Sequence, residues 1–246
     1  GKVMNDLFCW ELKFESCNYS ESLLNKISLQ NKTSNYKVDI LQIKKAIYYA
    51  KKYHSSQKRL SGEPYYSHPL AVAELVAPYC FKTDILVTSI LHDVLEDTQL
   101  KKEQIADIFG EKIANQVEAL TRIQIDQKIS AAKIVQLLWL SKNHDDVLLI
   151  KYFDRLHNMQ TIKSKSPEKA LKTIEETLKQ FISLGIYFKS KIPEMLIVEE
   201  QLTELCYKNI TLNQQAKSLN LFLSSVDNFQ LPFLISQNEK FQNEIQ

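Results

Sequence analysis

Asp39-Ile40-Leu41-Gln42-Ile43-Lys44-Lys45-Ala46-Ile47-Tyr48-Tyr49-Ala50-Lys51-Lys52-Tyr53-His54 is the stretch whose reading decides the fold class. Ile40, Ile43, Ile47, Ala50 and His54 step by three and four, which lines them along one face of a helix and not on alternate faces of a strand. Asp39 offers a carboxylate to the first unpaired N–H groups, so a helix is expected to begin there. The same reasoning extends along the chain. Pro69 is expected to open a helix at its first position. Thr83 is expected to cap one running through Leu95, and Gly110 to stop a shorter one. Further helices are predicted over about 111–123, 130–142, 145–160, 167–184 and 193–208, with Ser166-Pro167 as a start and Gly185 as a stop. The chain of 246 residues holds four glycines, too few for the turns of a sheet protein of this size. An all-α helical bundle is the expectation.

Composition narrows the function classes. The formal net charge of +2 carries no long run of one sign, which argues against binding nucleic acid by neutralising phosphates. Cys9, Cys17, Cys80 and Cys206 lack metal-knuckle spacing, and no leader segment points to an oxidising compartment. Apolar runs such as Val147-Leu148-Leu149-Ile150 are far too short to cross a bilayer. A soluble, cytoplasmic protein with no membrane partner is expected.

Three segments carry the chemistry: Tyr65-Tyr66-Ser67-His68-Pro69, His92-Asp93-Val94-Leu95-Glu96-Asp97-Thr98 and Asp154-Arg155-Leu156-His157-Asn158-Met159. Each has a bland reading taken singly, as a helix start, a surface pair or a structural ion pair. Together they supply imidazole from two places and carboxylate from two more, a donor set that holds manganese, iron or zinc. Glu96 and Asp97 are spare carboxylates that could steer an attacking water. Helical spacing of four relates His92 to Glu96 and Asp93 to Asp97. Asp154, Asn158 and Thr161, at i, i+4 and i+7, share a face.

The order and wording of these segments resemble the HD hydrolase domain of the RelA/SpoT stringent-response family. Arg59 to Pro69 resembles its opening motif, Leu91 to Thr98 its central motif and Asp154 to Thr161 its third, over about residues 39–209. The resemblance implies an HD-type helical bundle at 39–190, preceded by an appendage at 1–38 (with one weak helix around Leu7 to Phe14) and followed by a helix and tail at 191–246. It implies Mn2+ held by His68, His92, Asp93 and Asp154, with Fe2+ or Zn2+ as alternatives. Glu96 and Asp97 would handle the attacking water. Arg59, Ser61, Tyr65, Asn158 and Thr161 would meet the nucleotide. The implied reaction removes the 3′-pyrophosphate of the guanosine alarmones (p)ppGpp, giving GDP or GTP and pyrophosphate.

The chain departs from that family in places. Leu60 stands where many relatives carry a second basic residue, Gln160 replaces a frequent arginine, and 124–140 lacks an expected stretch. These changes motivate a second reading, an HD phosphohydrolase acting on NADPH or another 3′-phosphorylated nucleotide. A third is a catalytically silent nucleotide-binding regulator, against which the intact acidic pair argues. No synthetase signature is found, which fits a stand-alone hydrolase or the hydrolase-bearing part of a longer protein. Of the other histidines, His54 is expected to be packed near the site, His144 to lie at the surface and His157 to be structural.

Overall fold

A computed structural model describes residues 9–122 and 145–210. Among them the regular structure is helical, with one isolated bridge between Lys58 and Pro64 and no strand. The helices are α1 Asn18–Thr33, α2 Ile40–His54, α3 Ser67–Val76, α4 Thr83–Leu91, α5 Val94–Asp97, α6 Lys102–Phe109, α7 Glu111–Arg122, α8 Asp145–Gln160, α9 Pro167–Glu176, α10 Ile182–Lys191 and α11 Leu196–Lys208. The helix expected at 130–142 and His144 lie outside the described residues. No described helix is long and apolar enough to cross a membrane.

The chain divides into two compact units. The first takes the described residues up to 122 together with 146–154. Here α2 starts as its sequence dictates, with the Asp39 carboxylate accepting from the Leu41 N–H at 3.0 Å. Lys51, Lys52 and His54 occupy its last turn, where positive charge suits the helix dipole. Its buried face takes in the predicted Ile43, Ile47, Ala50 and His54 with Ala46 and Tyr49 beside them, while Ile40, in the first turn, is only half-buried; the helix packs on α1 and α4. Gly110 ends α6 at φ +97°, a conformation that only glycine adopts without strain. All four cysteines are free thiols.

The second unit takes, of the described residues, Asp145 and 155–210. Ser166 caps α9 by accepting from the Lys169 N–H, with Pro167 at its first position. Arg155 pairs with Glu176 at 3.2 Å and lies over the Phe181 ring. This side chain is structural as expected, though its partner is not the adjacent Asp154.

Several local expectations are corrected. Helix α1 was not foreseen in a segment rich in Asn, Ser and Lys. Leu23 and Ile27, four apart and both wholly buried, justify it, since each contributes about 1.5–3 kcal/mol on burial. Pro69 is the third residue of α3, still within the turn whose N–H groups need no partner. Lys82, not Thr83, holds the cap position of α4, and the Thr83 hydroxyl accepts from the Asp39 N–H instead. Gly185 does not stop its helix. It is buried inside α10, while the α9 ladder loosens into a π-turn at Thr177–Phe181.

Candidate metal centre

The first unit gathers the first two motif segments and Asp154 of the third. His68 sits in the first turn of α3, which the Ser67 hydroxyl anchors by donating to the Pro64 carbonyl at 2.7 Å. Asp154 comes from α8. His92 and Asp93 lie in a break between α4 and α5, so the helix expected to run through Leu95 ends at Leu91. Asp93 takes φ −99° and ψ −4°, the sparsely populated bridge region common at functional sites. The break is slight, because the Asp97 N–H still donates to the Asp93 carbonyl at 3.0 Å.

Ligand-type atoms of His68, His92 and Asp154 lie within 4.8 Å of one another. The His68 Nε2 is 2.6 Å from Asp154 Oδ1. The His92 Nε2 is 3.1 Å from Asp93 Oδ2 and 3.4 Å from Asp154 Oδ1. Both histidines are buried, at 2% and 3% exposure. The Tyr65 hydroxyl donates to Asp93 Oδ2 at 2.8 Å and so fixes the direction of that carboxylate.

The donor chemistry fits a divalent cation. His92 Nδ1 lies 2.6 Å from the Ser89 carbonyl, which only accepts, so Nδ1 carries the proton. In the neutral ring the Nε2 lone pair then faces two carboxylates and, though buried, has no hydrogen-bond partner among the described residues. Such an arrangement is repulsive unless a proton or a metal ion stands between. Without metal, the protonated state answers the need. Burial would depress the His92 imidazole, but Asp93 and Asp154 outweigh it and hold it well above its ordinary value. Burial likewise opposes ionisation of Asp93, yet His92 brings it to about 2. Asp154 is pulled well below the usual carboxylate range, because the hydrogen bond from His68 and the charge of the two imidazoles beside it overcome its burial.

The other predicted residues fall in different settings. Glu96 and Asp97 are exposed on α5. Burial and the Asp93 charge raise the Asp97 carboxyl above its ordinary value. Arg59 and Ser61 lie on the 57–65 loop, where the Ser61 hydroxyl donates to Glu63 at 2.6 Å. Tyr65, expected to meet substrate, also donates its hydroxyl to Asp93. Asn158 and Thr161 belong to the second unit, and the Thr161 hydroxyl donates back to the His157 carbonyl at 3.0 Å. His54 is fully buried with its ring 4.8 Å from that of Tyr65, as packing near the site required. Gln57 escaped the sequence reading; its place three residues after His54 was the available signal.

Comparison with known proteins adds the family. Residues 46–185 match a family described as HD domain. A Brucella ovis protein named GTP pyrophosphokinase rsh is 33% identical over 195 residues, covering 76% of this chain and 25% of the relative. An Aquifex aeolicus guanosine-3′,5′-bis(diphosphate) 3′-pyrophosphohydrolase is 36% identical over 170 residues, covering 67% and 24%. The chain thus spans about a quarter of the length of the curated relatives it matches. A solved structure described as a metazoan ortholog of SpoT that hydrolyzes ppGpp is similar at TM-score 0.46 and 17% identity, covering 78% of this chain and 98% of that one, too loose a likeness to argue from. With the match to residues 46–185 taking in more than half of its length, the chain belongs to the HD-domain family and is homologous to RelA/SpoT proteins.

Proposed function

We propose that this chain is a manganese-dependent hydrolase that removes the 3′-pyrophosphate from the guanosine alarmones ppGpp and pppGpp in the cytoplasm, through a domain at about 39–190. The carrying observation is the buried His68–His92–Asp154 cluster beside Asp93, with an unpartnered His92 nitrogen facing two carboxylates. The Aquifex relative's name supports the substrate class. His68, His92, Asp93 and Asp154 would hold Mn2+. A divalent ion there supplies Lewis acidity toward a phosphoryl oxygen and lowers the pKa of bound water. Glu96 and Asp97 orient the attacking water and take its proton. Burial and the Asp93 charge, which raise the Asp97 carboxyl, favour its taking up a proton. Arg59 offers a planar guanidinium to the nucleotide, and Ser61, Asn158 and Thr161 offer hydroxyl and amide groups.

Incubation with ppGpp and Mn2+, with and without chelator, tests the reading by anion-exchange separation of products. Chelator-sensitive release of GDP and pyrophosphate is expected. No product from folded, metal-loaded protein would remove the assignment. A second reading, hydrolysis of NADPH or another 3′-phosphorylated nucleotide, is favoured by Leu60, which is 68% exposed on the motif loop where a basic side chain would bind extra phosphate. Faster turnover of such compounds than of ppGpp would select it.

A further inference from the structure

Gln57 spans the gap between the end of α2 and the acidic pair. Its Nε2 donates to the Asp97 main-chain carbonyl at 2.6 Å, and its Oε1 lies 3.0 Å from His54 Nδ1. Donor logic fixes the whole chain of bonds. A main-chain carbonyl only accepts, so the amide nitrogen must face Asp97 and the amide oxygen must face His54. The oxygen only accepts as well, so His54 Nδ1 carries a proton. His54 Nε2 is then a bare lone pair, buried without a hydrogen-bond partner among the described residues. A buried acceptor left unmade costs about 1–3 kcal/mol. The same ring position could be filled by an apolar side chain at no such cost, so the imidazole is there for its Nδ1 proton.

We propose that His54 and Gln57 form a positioning relay for the acidic pair: His54 Nδ1–H holds the Gln57 amide in one orientation, and that amide fixes the main chain at Asp97. The backbone of Gln57 is itself anchored. Its N–H donates to the His54 carbonyl at 2.9 Å, and its carbonyl accepts from the Tyr65 N–H at 2.9 Å. Asp97 ends a helix of one turn, so few other bonds set its place. The side-chain hydrogen bonds of both residues lead to the Asp97 main chain, so the relay acts on the water-handling groups. The catalytic part of this inference rests on the alarmone hydrolase reading.

Three variants test it. Glu in place of Gln57 keeps the shape but presents oxygen to the Asp97 carbonyl. Phe in place of His54 keeps the bulk and loses the donor. Asn in place of His54 loses bulk but sets an amide N–H near the Nδ1 position. Gln57→Glu and His54→Phe are expected to lower kcat about 10–100-fold, with KM and Mn2+ affinity within about twofold and Tm little changed, while His54→Asn restores most of kcat. A role in packing alone predicts the reverse order, with Phe tolerated and Asn harmful, and would overturn the relay. Hydrogen exchange at the Asp97 and Thr98 amides reads the same relay without substrate. Faster exchange in Gln57→Glu and His54→Phe, but not in His54→Asn, supports it, and unchanged exchange in all three overturns it. If the wild-type chain leaves ppGpp intact while the exchange pattern appears, the alarmone reading fails and the relay stands. If Gln57→Glu does not fold, the contrast between the two His54 variants decides.

Discussion

His68, His92 and Asp154 are drawn from three helical segments and set in a core where both rings are nearly closed to solvent. Glu96 and Asp97 sit on a four-residue helix with their side chains exposed. The first group is fixed by packing on all sides and by mutual charge. The second is fixed by a few local bonds: Asp97 N–H to Asp93, Thr98 N–H and hydroxyl to Val94, and the Gln57 amide. On the proposed reading, the ligands of an ion, which must keep a fixed mutual geometry, are built into the core, and the groups that handle a water, which need solvent access, are built at the edge.

That contrast can be broken at either end. Asp154→Ala removes the carboxylate that approaches both imidazoles, and loss of Mn2+ binding together with turnover is expected by calorimetry and product assay. Retained metal would show that the buried cluster is not the ligand set. Glu96→Gln should lower kcat about 10²–10⁴-fold, the range for losing general acid–base help, while Mn2+ affinity stays as in wild type; full activity would remove Glu96 from the reaction. Tyr65→Phe leaves Asp93 without its hydroxyl donor, and a loss of about 10–100-fold in Mn2+ affinity is expected in a competition titration. An unchanged affinity would leave Tyr65 with the expected substrate contact as its role. Chelation at metal levels near 100 times Kd should remove about 2.7 kcal/mol of stability, a fall in Tm of about 5–10 °C by calorimetry. No shift would mean that the cluster is held together without an ion.

Sequence showed the core end of this contrast better than the edge. The α2 face was legible because Ile43, Ile47, Ala50 and His54 are all buried at helical spacing. The Asp39 and Ser166 caps were legible because short polar side chains have a strong local preference there. Helix α1 was hidden because its buried stripe is narrow, essentially Ser20, Leu23 and Ile27 among polar neighbours. Gly185 misled because a small residue can end a helix or let a neighbour approach, and tertiary packing makes that choice. The break at His92-Asp93 carries neither proline nor glycine; partners distant in sequence draw both side chains inward. Gln57 was passed over for a similar reason, since its bond to the Asp97 carbonyl leaves no trace in the spacing of motif residues.

The loop from Gln57 to Tyr65 is folded back on itself at successive levels. Tyr65 N–H meets the Gln57 carbonyl, Arg59 N–H meets the Glu63 carbonyl, and Gly62 N–H meets the Arg59 carbonyl, each at 2.9 Å. Gly62 permits the reversal at φ +96°. A protease draws its substrate into the cleft as an extended strand, and here both basic residues, Lys58 and Arg59, belong to a stretch already paired with itself. Cutting after either one requires undoing the turn first, so a loop rich in trypsin-type residues is shielded by its own backbone.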